Sequence, residues 1–412
     1  MVVKDLQPFT IVEDQGFRAF VNKLEPNYVL PSRKALTEMV DEKYTSTKET
    51  VKAEVQKAVS VSLTADMWTS INTESYLGVT CHYISPQDEM TTYANVELLE
   101  EWGITSKVHC MVTDNAANMA LSVNLQNLYH LPCFAHTLNL IVKKAVEETP
   151  QLHEIRLKAR KIIGLFRSSC KAREKLLEMQ TIMGRPALKL IQDVETRWNS
   201  TYDMLQRLHH EKDTVAASLS QLNTDHTPLN NFEYEVISEC LALLRPFKMA
   251  TVELSEEERV SASNLIPLYR MIQHKLAEKM RTSTHHPTFQ LGTLLRDGIQ
   301  ARCGGYETST LLTFATLLDP RLKSLAFGNS QKAQDAEQNL IRECASLMRA
   351  ATPGPQASTP PPPPPSPSAA SAAASRSPSA ESLWDLFDHR VNQTAVVHSA
   401  TADATVEVRE EL

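Results

Sequence analysis

Cys110-Met-Val-Thr-Asp-Asn-Ala-Ala-Asn-Met119 is the stretch on which the reading of the fold turns. Val108, Cys110 and Val112 alternate with larger or polar residues, as they do in a buried strand. The strand runs into Asp114 and a small polar turn. A carboxylate at the C-terminal end of a strand faces the crevice where α/β folds hold their chemistry. An Asp-Asn pair in this place also suits a plain turn or a helix N-cap, so the stretch alone leaves both readings open.

Upstream, the period changes from helical to extended at Val59. Val61, Leu63, Ala65 and Met67 alternate with Ser62, Thr64, Asp66 and Trp68, which puts Asp66 on the face opposite the apolar set. A polar turn and a second strand, Tyr76 to Ser85, follow, rich in β-branched and aromatic residues. A third strand is expected over Met90 to Ala94, and two helical turns over Val96 to Trp102, stopped by Gly103. After the strand ending at Asp114 come a helix from Ala116 to Leu128, a short strand from Leu131 to Phe134, and another helix. In a β-β-β-α-β-α-β-α order the first and fourth strands lie side by side, which brings Asp66 and Asp114 face to face. Two carboxylates that close repel unless a cation sits between them. An oxygen-donor pair suits Mg²⁺ or Mn²⁺, the ions that serve phosphoryl transfer.

The ends of the chain read differently. Residues 1–58 form a helical module, with one helix after Pro31 and a second opened by a capping box at Ser46-Thr-Lys-Glu49. This module either packs on the next domain or helps to grip DNA or a partner. From Leu152 to Lys189 the chain is basic and amphipathic. Ile155, Ala159, Ile162, Ile163 and Phe166 form one helical face, while Arg156, Lys158, Arg160, Lys161 and Arg167 occupy the remainder. Such a face is either solvated or a phosphate-backbone surface. Residues 200–345 carry helical periodicity throughout. Residues 346–412, with prolines at 361–365 among Ser and Ala, read as a disordered tail, in which Ser382–Phe387 is a short amphipathic patch that could dock or fray.

Composition narrows the class. The chain has 412 residues, a net charge of −7 and seven cysteines spaced singly. The scattered thiols suit a reducing compartment rather than a disulfide framework. No segment reaches the roughly 18–20 apolar residues of a membrane span, and the N-terminus lacks the pattern of a secretory signal. No membrane partner is expected. The overall acidity does not advertise nucleic-acid binding, which depends on local patches.

Six segments, in order, carry a family resemblance. Val61-Ser-Leu-Thr-Ala-Asp66-Met-Trp68-Thr-Ser70 and Val112-Thr-Asp114-Asn-Ala-Ala-Asn118-Met resemble the first two catalytic segments of hAT-superfamily transposases. Leu131-Pro-Cys133-Phe-Ala-His136-Thr-Leu-Asn139-Leu resembles their Cys-x-x-His element, and Thr196-Arg197-Trp198 their Arg-Trp element. Leu244-Arg-Pro246-Phe247 and Phe314-Ala-Thr-Leu-Leu-Asp319-Pro320-Arg321-Leu-Lys323 resemble segments of their helical insertion domain. The resemblance covers residues 1–345 and is greatest to BED-zinc-finger proteins derived from hAT transposons. It implies a ribonuclease-H-like α/β core with a mixed sheet (residues 59–150) and a large all-helical insertion domain (residues 151–345).

Further implications follow residue by residue. Asp66 and Asp114 match the first two acids of a metal-binding triad, and His136 matches a histidine near it. Trp198, with Arg197, matches an indole that stacks on an unpaired base; a core aromatic is the other reading. With Arg160 and Lys161 these form the expected DNA-contacting set. Cys133 and His136 have the spacing of half a zinc site without a second pair, so no zinc is expected. The family's third acid lies in a Ser-x-x-Glu-Arg element that nothing after residue 345 matches, and no BED finger precedes Met1. The expectation is a nuclear, monomeric, catalytically inactive protein that binds DNA or nuclear proteins in transcriptional regulation. An active transposase and a protein-interaction scaffold without DNA binding are the alternatives. About a dozen residues, Asn95 to Lys107, must cross from the third strand to the fourth, which predicts strain there.

Overall fold

The computed structural model describes residues 2–70, 72–84, 90–94, 99–114, 128–222, 224–255 and 262–351. They divide into two compact units, one ending at Cys133 and the other beginning at Phe134.

In the first unit, α1 (Gln15–Leu24) and α2 (Arg33–Val55) precede strands β1 (Val61–Thr69), β2 (Ser75–Ile84) and β3 (Met90–Ala94). A single helical turn, α3 (Leu99–Trp102), leads to β4 (Val108–Thr113) and β5 (Tyr129–Pro132). The five strands lie in the order β3-β2-β1-β4-β5. β1 pairs antiparallel with β2 and β2 with β3, while β1–β4 and β4–β5 are parallel. The strand order thus agrees with the sequence pattern, with the first and fourth strands adjacent.

Burial follows the alternation as far as Ala65, whereas Met67, expected on the apolar face, is exposed. Val61, Leu63 and Ala65 enter a core with Val79, Cys81, Tyr83, Ile104 and Val108. Gly103 takes φ +66°, the left-handed conformation in which glycine ends a helix at least cost. The crossover into β4 is tied down by Lys107, whose ammonium donates to the carbonyls of Gln56 and Ala58. The register of β1 against β4 shifts between Val61 and Ser62, after which the two strands pair regularly; residues 95–98 of the crossover, where strain was expected, lie outside the described residues.

Two expectations for the N-terminal region are corrected. α2 is one helix through Ser46, not two. Ser32 is its N-cap, accepting from the Ala35 N–H at 3.1 Å. No glycine or proline lies between Arg33 and Val55. The hydroxyls of Thr37, Thr45 and Thr50 bond back to the carbonyls four residues earlier, as mid-helix threonines do. Nor is the region before residue 58 a module apart, since Val55 and Ala58 are fully buried in the same core as the sheet.

The second unit is helical. α4 (Phe134–Glu147), α5 (Pro150–Ser168) and α6 (Cys170–Ile182) are followed by α7 (Trp198–His210), α8 (Lys212–Gln221) and α9 (Asn231–Leu254). Then come α10 (Leu265–Thr282), α11 (His286–Cys303), α12 (Thr310–Leu318) and α13 (Ser330–Ala351). The boundary at 133/134 differs from the one expected at 150/151. The apolar stripe of α4, with Leu138, Ile141, Val142 and Ala145 all buried, packs against α9 and α11. α13 also continues six residues past 345. The expected helix over 116–128 lies almost wholly outside the described residues, as does the tail from 352 on, including Ser382–Phe387.

Side-chain locks join these helices. Asn230 and Glu233 close a capping box at the start of α9. Glu239 on α9 accepts from the Thr284 N–H and hydroxyl and faces the His285 ring at the start of α11. Burial would raise its carboxyl pKa, but these hydrogen bonds outweigh burial and hold it at about 2. A depressed carboxyl stabilises the fold above its unfolded pKa, and that contribution is lost as pH falls through the folded value. Thermal midpoints of the native chain should therefore fall between about pH 4.5 and 2 more steeply than those of Glu239→Gln. Parallel curves for the two proteins would contradict the assignment.

Candidate functional site

The site begins with two neighbouring strands. Ala65 and Thr113 are parallel partners, and both side chains are buried. Asp66 and Asp114 each follow this pair by one residue. Asp66 lies within its strand; β1 runs on to Thr69 with Asp66 opposite Gly78 on β2. Its carboxylate is exposed on the face away from the core, and Oδ1 accepts the Met67 N–H at 2.9 Å. Asp114 leaves β4 half-buried.

The end of β4 is braced from beneath. The Thr113 hydroxyl donates to the Asp114 carbonyl at 2.7 Å and lies 2.8 Å from His130 Nε2 on β5. With its one proton given to the carbonyl, the hydroxyl oxygen accepts, so Nε2 carries the ring proton. Burial lowers the His130 pKa, favouring the neutral ring this arrangement uses. The Cys133 N–H completes the brace on the Thr113 carbonyl at 2.7 Å. The motif match gave His130 no role. It lies one residue before the strand expected over Leu131–Phe134, which the structure places at Tyr129–Pro132.

Two carboxylates on adjacent strands, each one residue beyond a parallel pair, are a donor set of the kind a small hard divalent cation accepts, since Mg²⁺ binds through one or two carboxylates and keeps several waters. The residues therefore fit such an ion. Among the described residues, no group of three His, Cys, Asp or Glu side chains could hold a metal.

The remaining expected site residues lie in the helical unit. His136 is half-buried in the first turn of α4. Arg197 precedes α7 and is exposed. Trp198 opens α7 and is 5% exposed, so the indole is a core side chain rather than an open stacking surface. Asn139 joins two of the motifs. Its Oδ1 accepts the Trp198 N–H at 3.1 Å and its Nδ2 donates to the Thr196 carbonyl at 3.4 Å. Trp198 also lines a cavity of about 230 Å³ with His153, Arg156, Arg160 and Tyr202.

The basic face of α5 is largely neutralised. Arg156 and Arg160 both reach the buried Asp193, Arg160 also pairs with Glu195 at 2.8 Å, and Lys158 pairs with Glu233 at 2.8 Å. Arg160 is thus half-buried and already paired with two carboxylates, Asp193 and Glu195. Lys161 and Arg167 remain exposed, and no described residue forms an ion pair with either.

Comparison with known proteins bears on this arrangement. A family model described as the ZBED1 RNase-like helical domain matches residues 131–242. Human zinc finger BED domain-containing protein 4 is 30% identical over 381 residues, 83% of this chain and 31% of that protein. A Talaromyces stipitatus protein named as a transcriptional regulator, tpeD, is 25% identical over 359 residues, 70% of this chain and 42% of its own length. A Zea mays protein named as an AC transposase is 29% identical over 234 residues, 48% of this chain and 29% of its own length. The chain is similar to the hAT-derived, BED-type proteins. It spans between about a third and two fifths of the length of these relatives. Within the family frame, the segments around Asp66 and Asp114 meet on neighbouring strands, and the Cys-x-x-His and Arg-Trp segments are joined through Asn139. No helix among the described residues is long and apolar enough to cross a membrane.

Proposed function

We propose that this hAT-derived chain is a nuclear DNA-binding protein of transcriptional regulation, built on a ribonuclease-H-like sheet, that does not cut DNA by itself. The observation that carries the reading is the placement of Asp66 and Asp114 one residue beyond the parallel pair Ala65–Thr113 in a β3-β2-β1-β4-β5 sheet. That is where a nucleic-acid phosphate would be met. Asp66 and Asp114 would hold Mg²⁺ or Mn²⁺, which when bound supplies positive charge for a phosphate oxygen. The chain's own residues do the positioning. Thr113 and His130 fix the backbone beneath Asp114, and the Met67 N–H orients Asp66.

Cleavage is set aside because these residues bring two carboxylates, whereas transposases of this type use three. A third acid supplied from outside the described residues would complete the set. A relative named as a transcriptional regulator supports the regulatory side of the reading.

Exposed cations of the helical unit meet the phosphate backbone. Removing one such cation lowers the slope of log affinity against log salt by about 0.9. The double variant Lys161→Glu/Arg197→Glu should therefore bind duplex DNA more weakly and with a slope lower by about two. Fluorescence anisotropy between about 50 and 200 mM salt reads this directly. Duplex affinity that does not respond to salt would favour a protein-interaction scaffold.

A further inference from the structure

The helix α1 buries none of its side chains. It meets the rest of its unit chiefly through the single turn Phe9–Glu13, which packs on α2. Yet the helix is two-sided. Phe17, Phe20, Val21 and Leu24 recur at three-to-four spacing and form one apolar stripe, with Gln15, Ala19 and Asn22 behind it. Phe17 and Val21 are half-buried, whereas Phe20 is 59% and Leu24 68% exposed. Just past the helix, Tyr28 and Val29 add two more exposed apolar side chains.

A helix of ten residues is marginal in water by itself, and most helices in proteins are held by packing an apolar face. The stripe of α1 therefore suits a partner better than it suits solvent. The cations say which kind. At 3.6 residues per turn, Arg18 and Lys23 fall on opposite flanks of the stripe. Both are exposed, and no described residue forms an ion pair with either. No acid lies between Gln15 and Leu24. Long basic stems lie along apolar contacts and set their charge at the rim. In a chain of net charge −7, α1 thus presents an apolar face bordered by positive charge on both sides.

We propose that α1 docks an amphipathic helix of a partner protein, one whose apolar ridge is flanked by aspartates and glutamates. Acidic-hydrophobic segments that fold as they bind have this chemistry. The contact is then helix against helix, with apolar anchors at three-to-four spacing and charge pairs along both edges. A DNA backbone does not fit, because an apolar stripe offers a phosphate nothing. A membrane surface fits less well, since two cations and four apolar side chains fall short of the helices that lie in bilayers. The proposal goes beyond the DNA-binding reading and stands apart from it, because it uses neither the acid pair nor any residue of the helical unit.

The test is fluorescence anisotropy with the full chain and a labelled peptide carrying Leu and Phe at helical spacing, flanked by Asp and Glu. Two controls are a scrambled peptide of the same composition and one with Lys at every acidic position. The native chain should bind the acidic peptide in the micromolar range and the controls much more weakly. Phe20→Ala/Leu24→Ala should weaken binding by about tenfold, as the loss of central apolar anchors does. Arg18→Glu/Lys23→Glu should reverse the preference, so that the lysine peptide binds better than the acidic one. All four residues are exposed, so both variants should keep the native melting temperature. The proposal falls if the native chain does not distinguish the acidic peptide from its controls, or if either variant binds as the native chain does. Sedimentation with anionic phospholipid vesicles that Phe20→Ala/Leu24→Ala removes, without peptide binding, would assign the stripe to a membrane and overturn it. Self-association removed by the same variant, again without peptide binding, would assign the stripe to a second copy and overturn it equally.

Discussion

Asp193→Ala should be among the most damaging single substitutions in the helical unit. Its carboxylate is fully buried and accepts from Arg156 Nε at 2.9 Å, Arg156 Nη2 at 2.8 Å and the Thr201 hydroxyl at 3.0 Å, with Arg160 Nε at 3.4 Å. The Arg156 side chain is itself only 11% exposed. Removing the acid leaves that guanidinium without a counter-charge in a place water barely reaches. Breaking a buried pair from one side costs about 3–5 kcal/mol. For a unit of this size the midpoint of thermal unfolding should fall by roughly 10 °C. Arg156→Met combined with Asp193→Ala should recover part of the loss, because the stranded charge is gone. A double variant no better than the single one would mean that the acid acts through some other contact.

Phe247→Ala should cost a similar amount for a different reason. The ring is completely buried in α9 and is among the largest fully buried side chains. It follows Pro246, which sits inside the helix and removes one backbone hydrogen bond. α9 therefore relies on packing at this point more than an unbroken helix would. Truncating a buried phenylalanine leaves a cavity and costs about 3–5 kcal/mol. Denaturant unfolding should show a lower midpoint with an unchanged slope. Phe247→Leu should lose much less, and equal losses for the two would argue against a cavity effect.

These two sites show where sequence reading reaches and where it stops. The alternation from Val61 to Met67 fixed both the strand and the outward face of Asp66, because the side-chain period of a strand is two whatever it packs against. The adjacency of β1 and β4 followed from element order, since a parallel strand after three antiparallel ones is added beside the first. The fate of the α5 cations was not legible in this way. Lys158 meets Glu233 and Arg156 meets Asp193 across 75 and 37 residues of chain, and only the folded helices bring them together. The Ser46 capping box failed because its pattern was right but nothing ended the helix before it. Trp198 matched a family motif but is packed away from solvent. Trp68, quoted within another motif and given no task, turned out to be the exposed ring. Motif identity marked both positions, whereas exposure depends on the neighbours each ring meets, such as the bare backbone of Gly78 beneath Trp68.

The acid pair itself is legible because it needs only local facts: a strand, its face and its neighbour. What the pair does is a matter of how many carboxylates gather there. The most direct test incubates the full chain with labelled hairpin-ended DNA and Mn²⁺, alongside Asp66→Ala. The account predicts a DNA complex with both proteins and intact strands throughout. Strand cleavage by the native chain that disappears in Asp66→Ala would contradict it and make the chain an active nuclease.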